Sequence, residues 1–226
     1  AIARHEIMCT LEDVVREAIE MDCNLIVAHH PLLFRGLKTV GNETQVERVV
    51  RMAVKNDIVI YAAHTNLDNA VGGVSYEMAS RLGLTDVRLL TSHTVDGRSC
   101  GAGVVGTLPE PVSDTAFLTR LKEIFGVNAL QHNRACGRSI RTVALCGGAG
   151  AFLLDDAIEQ GADCFVTGEI HYHDFFGHDD QLLMVAMGHY ESEQYTTAIF
   201  EHLLHQRFPQ LTVEQTSINT NPIYIL

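Results

Sequence analysis

The sequence contains no tryptophan, no Cys-x-x-Cys pair, and no apolar run near the roughly 20 residues that a bilayer-spanning helix needs. Its six cysteines (Cys9, Cys23, Cys100, Cys136, Cys146 and Cys164) are scattered, several within apolar segments, so neither a disulfide framework nor a thiolate zinc site is expected. An apolar signal-peptide core is also missing, because Arg4, His5 and Glu6 come so early, and a cytoplasmic location is expected. Positive charge is scarce: 16 Lys+Arg against 28 Asp+Glu give a formal net charge of -12. That balance excludes a general basic surface for nucleic acid or anionic membrane and leaves room only for a local basic pocket. What remains is ordinary globular composition, with 226 residues, 46% hydrophobic and 19% charged, enough to bury a real core. The abundant residue is histidine, with 12 copies, and where those imidazoles fall governs the functional reading.

Apolar periodicity alternates along the chain. Thr10 and Asp13 have capping-box spacing ahead of the helical stripe Val14, Val15, Ala18, Ile19, which predicts a helix ending near Met21. Asn24 to Ala28 reads as a buried strand stopped by His29, His30 and Pro31, since Pro31 cannot donate to a sheet ladder. Val46 to Val54 is helical, Ile58 to Ala63 is a strand ending at His64, and Tyr76 to Leu82 is a helix closed by Gly83. The polar stretch Thr91 to Gly103 reads as a connection between halves, giving an N-terminal α/β half over 1–98 and a C-terminal half over 99–226. Beyond it come a strand (Val104 to Leu108), a helix capped by Ser113, a strand (Arg141 to Cys146), and a glycine turn into a helix ending at Gly161. Two more strands (Cys164 to Thr167, Leu182 to Ala186) and a final helix carrying Ile199, Phe200, Leu203 and Leu204 complete the pattern. Such alternation predicts a layered α/β fold with a parallel or mixed sheet.

Polar clusters follow four of the strands: His29-His30, His64-Thr-Asn-Leu-Asp68, Gly168-Glu169 and Gly188-His189. In open α/β sheets ligands bind at the carboxyl ends of strands, so these side chains can converge from distant parts of the chain. Three imidazoles (His29, His30, His189) with two carboxylates (Asp68, Glu193) exceed the needs of one tetrahedral ion and suit two bridged ions. The i, i+4 spacing places His189 and Glu193 on one helix face, and His64 and Asp68 share it. Two divalent ions against two carboxylates leave positive charge for a hydroxide and an anionic substrate, which favours hydrolysis of a phosphorylated or nucleotide-like compound.

At these residues the chain resembles the NIF-three-like family, also called GTP cyclohydrolase 1 type 2 homologues. The segments that carry the resemblance are Leu25-Ile-Val-Ala-His-His-Pro-Leu-Leu-Phe34, Tyr61-Ala-Ala-His-Thr-Asn-Leu-Asp68, Val166-Thr-Gly-Glu169 and Gly188-His-Tyr-Glu-Ser-Glu193, in the family order. The resemblance implies two intertwined, pseudo-symmetric α/β halves in an α/β/α arrangement with mixed sheets and a dinuclear metal site between them. It implies that His30 and Asp68 hold one ion, His29 and His189 the other, and that Glu193 bridges; His64 would serve proton transfer or substrate orientation. It also implies a ring-shaped homohexamer. Two features depart from the family pattern. The usual N-terminal helix and Asp-Asn-X-Gly-Leu strand are replaced by a start at about that strand. The small α/β insert of long members is absent, since Arg88-Leu-Leu runs within a few residues into Gly101.

Plainer accounts exist for the remaining polar residues. His171, His173 and His178, among Asp174, Asp179 and Asp180, read as a solvated acidic loop in preference to a second metal patch, with Glu169 alone expected to support a ligand. Gly147-Gly-Ala-Gly150 could cradle a phosphate but lacks the Lys-Ser/Thr of a P-loop, and a tight turn explains it as well. His202 and His205 read as surface residues, and Ile218 to Leu226 as a packed strand or interface segment. The expectation is a hydrolase with two divalent ions (Zn, Fe or Mn) and a small phosphorylated substrate; the alternative is a non-catalytic metal-binding scaffold or regulatory module.

Overall fold

The computed structural model describes residues 3–7, 9–135 and 137–226, so Cys136 lies outside the described residues. The elements run in the order β1 (Ala3–Ile7), α1 (Glu12–Glu20), β2 (Cys23–Ala28), α2 (Gln45–Lys55), β3 (Val59–Ala62), α3 (Thr65–Asp68), α4 (Val74–Leu82), β4 (Thr85–Leu89), β5 (His93–Val95) and β6 (Arg98–Cys100). They continue as β7 (Val104–Ser113), α5 (Asp114–Phe125), β8 (Gln131–His132), β9 (Ser139–Cys146), α6 (Leu154–Glu159), β10 (Cys164–Thr167), β11 (Leu183–Ala186), α7 (His189–Glu193), α8 (Thr196–Arg207) and β12 (Thr212–Gln215). The chain is a mixed α/β protein. No helix among the described residues is long and apolar enough to cross a membrane.

Two compact units form, and the chain interleaves them: 1–66 with 195–224, and 67–194 with the last two residues. The first holds a parallel four-stranded sheet in the order β12-β1-β2-β3. Its core is the apolar stripe of α1 (Val14, Val15, Ala18) and of α2 (Val49, Ala53) laid on Ile26 and Ala28. The second holds a six-stranded sheet in the order β4-β7-β9-β10-β11-β8, in which β9, β10 and β11 run parallel and the outer pairings are antiparallel. Its central strands β10 and β11 are buried along their whole length, which is why they read as uninterrupted apolar runs.

Several local expectations change. The Thr10 capping box is not made: Leu11 occupies the N-cap without a side-chain bond, and the Thr10 hydroxyl is buried with no hydrogen-bond partner among the described residues. A full capping box forms instead on α2, where Glu47 N donates to Thr44 Oγ1 at 3.2 Å and Thr44 N to Glu47 Oε2 at 3.0 Å. Ser113 caps α5 through Ala116 N, as expected. The boundary read at 98/99 falls inside the second unit, in the β5–β6 hairpin, whose two-residue turn Asp96-Gly97 has positive φ at both positions. No strand forms over 218–226: Ile218 packs against the first core, while Ile223, Tyr224, Ile225 and Leu226 are exposed.

Candidate metal centre

In the first unit the parallel register sets the site. Ala28 lies opposite Ala62, and Ala63 N donates to Ala28 O at 2.9 Å, so β2 and β3 end level with each other. The residues that follow, His29-His30 and His64, are therefore neighbours, with ring centroids 5.0, 5.5 and 5.3 Å apart. One ligand atom from each of the three lies within 4.8 Å of those of the other two. His29 is fully buried, and its Nδ1 lies 2.9 Å from Ala63 O. A carbonyl only accepts, so Nδ1 is the donor in this bond and the ring's orientation is fixed by it. Cys9 Sγ lies 3.2 Å from His30 Nδ1, a contact that sequence reasoning missed because no spacing rule links residues 21 positions apart. Phe34, on the loop after the histidines, sets its ring edge-on to His64 at 5.5 Å.

In the second unit the same device recurs at the ends of β9, β10 and β11, where Thr167 lies opposite both Cys146 and Ala186. The chain leaves these strands as Gly147-Gly148, Gly168-Glu169 and Gly188-His189. On α7 the i, i+4 pair meets, with His189 Nε2 3.2 Å from Glu193 Oε2, while His189 Nδ1 donates to Glu169 Oε1 at 2.7 Å. Glu193 is 3% exposed. Asp68 and Glu193 both lie close enough to Cys146, at the end of β9, to add to the burial that pushes its thiol up to about 12, so this thiol is no nucleophile.

The glycine turn takes the structural reading. Its N–H groups face inward: Gly147 N to Ser75 Oγ, Gly148 N to Ser192 Oγ and Gly150 N to Thr167 Oγ1, which leaves no cradle for a phosphate. Its real role is under Glu193. Gly148 has φ of 65°, and a Cβ there would sit 2.2 Å from Glu193 Oε1. Gly148→Ala should therefore combine left-handed strain with displacement of the carboxylate, at a cost of about 2 kcal/mol. Calorimetry should show a melting temperature lower by about 4–8 °C.

The two carboxylates beside His189 raise its pKa from 6.5 to about 9, with the hydrogen bond to Glu193 the largest cause and burial opposing. The sign follows directly. The imidazolium stabilises the metal-free fold fully below pH 6.5, and that contribution is lost as pH rises through about 9. Histidine NMR on metal-free protein should find this titration near pH 9, and Glu193→Gln should bring it down towards 6.5.

These donors fit a divalent ion: imidazole Nε2 atoms oriented by hydrogen bonds from Nδ1, and a buried carboxylate 3.2 Å from one of them, are the arrangement seen around ligating histidines. His171, His173 and His178 join none of the groups of metal-binding geometry found among the described residues. Glu169, exposed just past the end of β10, accepts from His189 Nδ1 and, among the described residues, from no group of the His171, His173, His178 loop.

Fold and side chains together thus define an α/β protein with imidazole and carboxylate groups that could hold metal. The particular family follows from comparison: the chain belongs to the Duf34/NIF3 (NGG1p interacting factor 3) family, whose model it matches over residues 5–222. It is similar to the GTP cyclohydrolase 1 type 2 homolog of Lactococcus lactis subsp. lactis, 31% identical over 221 residues that cover 94% of this chain and 81% of that one. The protein of the same name from Clostridium perfringens is 33% identical over 186 residues, covering 82% and 70%. Among solved structures, a Staphylococcus aureus hypothetical protein superposes with a TM-score of 0.90 at 26% identity, covering 99% of this chain and 87% of that one. A Bacillus cereus protein related to NIF3, 22% identical with a TM-score of 0.87 over 99% of this chain and 89% of that one, shares the fold.

Proposed function

We propose that this chain is a dinuclear metal-dependent hydrolase acting on a nucleotide or another small phosphorylated substrate. In this reading His30 and Asp68 hold one divalent ion, His29 and His189 the other, and Glu193 bridges them; Zn, Fe and Mn all suit such donors. The observation that carries it is the repeated device of an oriented imidazole, with His29 held through Nδ1 by Ala63 O and His189 held through Nδ1 by Glu169, so that each ring's direction is set by the chain. When bound, the ions would supply Lewis acidity and neutralise substrate charge. The protein's own contribution is to hold the Glu193 carboxyl in a buried setting, to fix the ring orientations, and to offer His64 as a proton carrier at its imidazole nitrogens. The name carried by the relatives, GTP cyclohydrolase 1 type 2 homolog, favours a nucleotide. Elemental analysis of native protein, followed by hydrolysis assays over nucleotides and phosphoesters with the metal found, tests the proposal. Two ions per chain and turnover are expected; metal-free protein, or no turnover on any of them, would reject it.

The closeness of His64 to His29 and His30 favours one second reading, in which His64 is a ligand and the ions belong to a non-catalytic scaffold. Loss of metal from His64→Ala would select it.

The assembly proposed is a homohexamer. Exposed apolar residues in the first unit (Val59 and Tyr61 on β3, Ile223 and Tyr224 near the chain end) support burial by further copies. Light scattering under reducing conditions should give six times the single-chain mass; a value near 24.9 kDa would exclude any oligomer.

A further inference from the structure

Three strand ends converge in the first unit, and one of them takes no part in the scheme above. In the parallel ladder Ile7 lies opposite Ala28, and Ala28 opposite Ala62, so β1, β2 and β3 leave the sheet at one level. Cys9, His30 and His64 each stand two residues beyond that level, at the carboxyl ends of parallel strands where such sheets place their ligands. The exit of β1 is Cys9-Thr10. Thr10 is 5% exposed and its hydroxyl has no hydrogen-bond partner among the described residues, so this exit turns polar groups away from solvent.

The sulfur contacts set Cys9 apart from other thiols of the chain. Cys23, Cys100 and Cys146 place Sγ against backbone carbonyls, at 3.9, 3.7 and 3.4 Å, whereas Cys9 Sγ lies 3.2 Å from His30 Nδ1. That contact extends a series. His29 meets Ala63 O through Nδ1, and His189 meets Glu169 through Nδ1, so the three rings have three different anchors: a carbonyl, a carboxylate and a sulfur. A neutral imidazole that donates from Nδ1 has its lone pair on Nε2, which is the tautomer a ring ligating through Nε2 requires. A hydrogen bond at Nδ1 of a ligating ring fixes both tautomer and direction. Cys9 itself joins none of the groups of metal-binding geometry found among the described residues, which places it behind the ring.

We propose that Cys9 is a positioning residue for His30, its sulfur accepting from Nδ1–H and so fixing the direction in which that ring meets a divalent ion. The proposal deepens the metal reading above and rests on it for one point, that His30 holds an ion.

Titration of metal-stripped protein with zinc(II), in competition with a chromophoric chelator, tests it on wild type, Cys9→Ala and Cys9→Ser. Cys9→Ala should weaken one zinc site about tenfold, the lower end of what loss of a ligand's hydrogen-bond partner costs, and leave the other unchanged. Cys9→Ser should recover most of that loss, because its hydroxyl oxygen also accepts. Should Cys9→Ala fail to fold, Cys9→Val presents a side chain of similar size that cannot accept. Zinc binding unchanged without the sulfur overturns the proposal, and so does a Cys9→Ser protein as weak as Cys9→Ala. Cobalt(II)-loaded wild type separates positioning from ligation: an intense sulfur-to-cobalt charge-transfer band that disappears in Cys9→Ser would make Cys9 a ligand and overturn the proposal as well. Histidine NMR of metal-free protein keeps the result distinct from the metal reading. The ring-nitrogen signals of His30 should move in Cys9→Ala while those of His189 stay in place. If wild type binds no zinc, the metal reading falls, and this spectrum still decides whether Cys9 holds the ring; unmoved His30 signals overturn the contact in either case.

Discussion

Glu193→Gln protein, purified and dialysed like wild type, should hold neither metal ion while keeping its fold. The side chain is 3% exposed and wedged above Gly147 and Gly148, so the isosteric amide fits the same space. What it removes is charge. A bridging carboxylate offers each ion a negative oxygen, and an amide offers one neutral oxygen and an N–H that repels a cation. Changes that merely disturb the support of a ligand cost 10–100-fold in metal affinity, so loss of the bridge should cost at least about 100-fold. Elemental analysis is the measurement, with circular dichroism to establish folding. Full metal content in the variant would remove Glu193 from the bridge.

The second large effect is expected at His64. If it moves protons, His64→Ala should retain two ions per chain and lose about 10²–10⁴-fold in turnover on the compound that wild type hydrolyses. The pH profile gives a readout that a packing role would not move: the limb belonging to His64 should vanish from the variant. Imidazole added to the buffer should restore part of the rate.

The strand ends were legible in the sequence. Apolar runs stopped by His29-His30-Pro31, His64, Gly168-Glu169 and Gly188-His189 declare where the backbone leaves each sheet, and the i, i+4 spacing of His189 and Glu193 needs only a helix beginning at residue 189. The Asp96-Gly97 hairpin signal was also present, and the polar composition around it read as a linker instead. Other features leave no local trace. The Cys9 contact with His30 depends on where the chain returns in space. Strand β12 is four residues long, with Val213 alone buried, and nothing in Thr212 to Gln215 states that its neighbour is β1.

That last pairing has a consequence for how the protein is made. Ala3 lies opposite Thr212 in a parallel ladder, so the first sheet closes only across almost the entire length of the chain. During synthesis from the N-terminus, residues 67–194 emerge while the first sheet still lacks a strand and a covering helix. Contacts of such separation form late, because the loop-closure entropy must be overcome before they return any energy. The second unit should therefore gain protection on the ribosome first, while β1, β2 and β3 wait with an open edge, a window in which a chaperone or a sister chain meets an unfinished sheet.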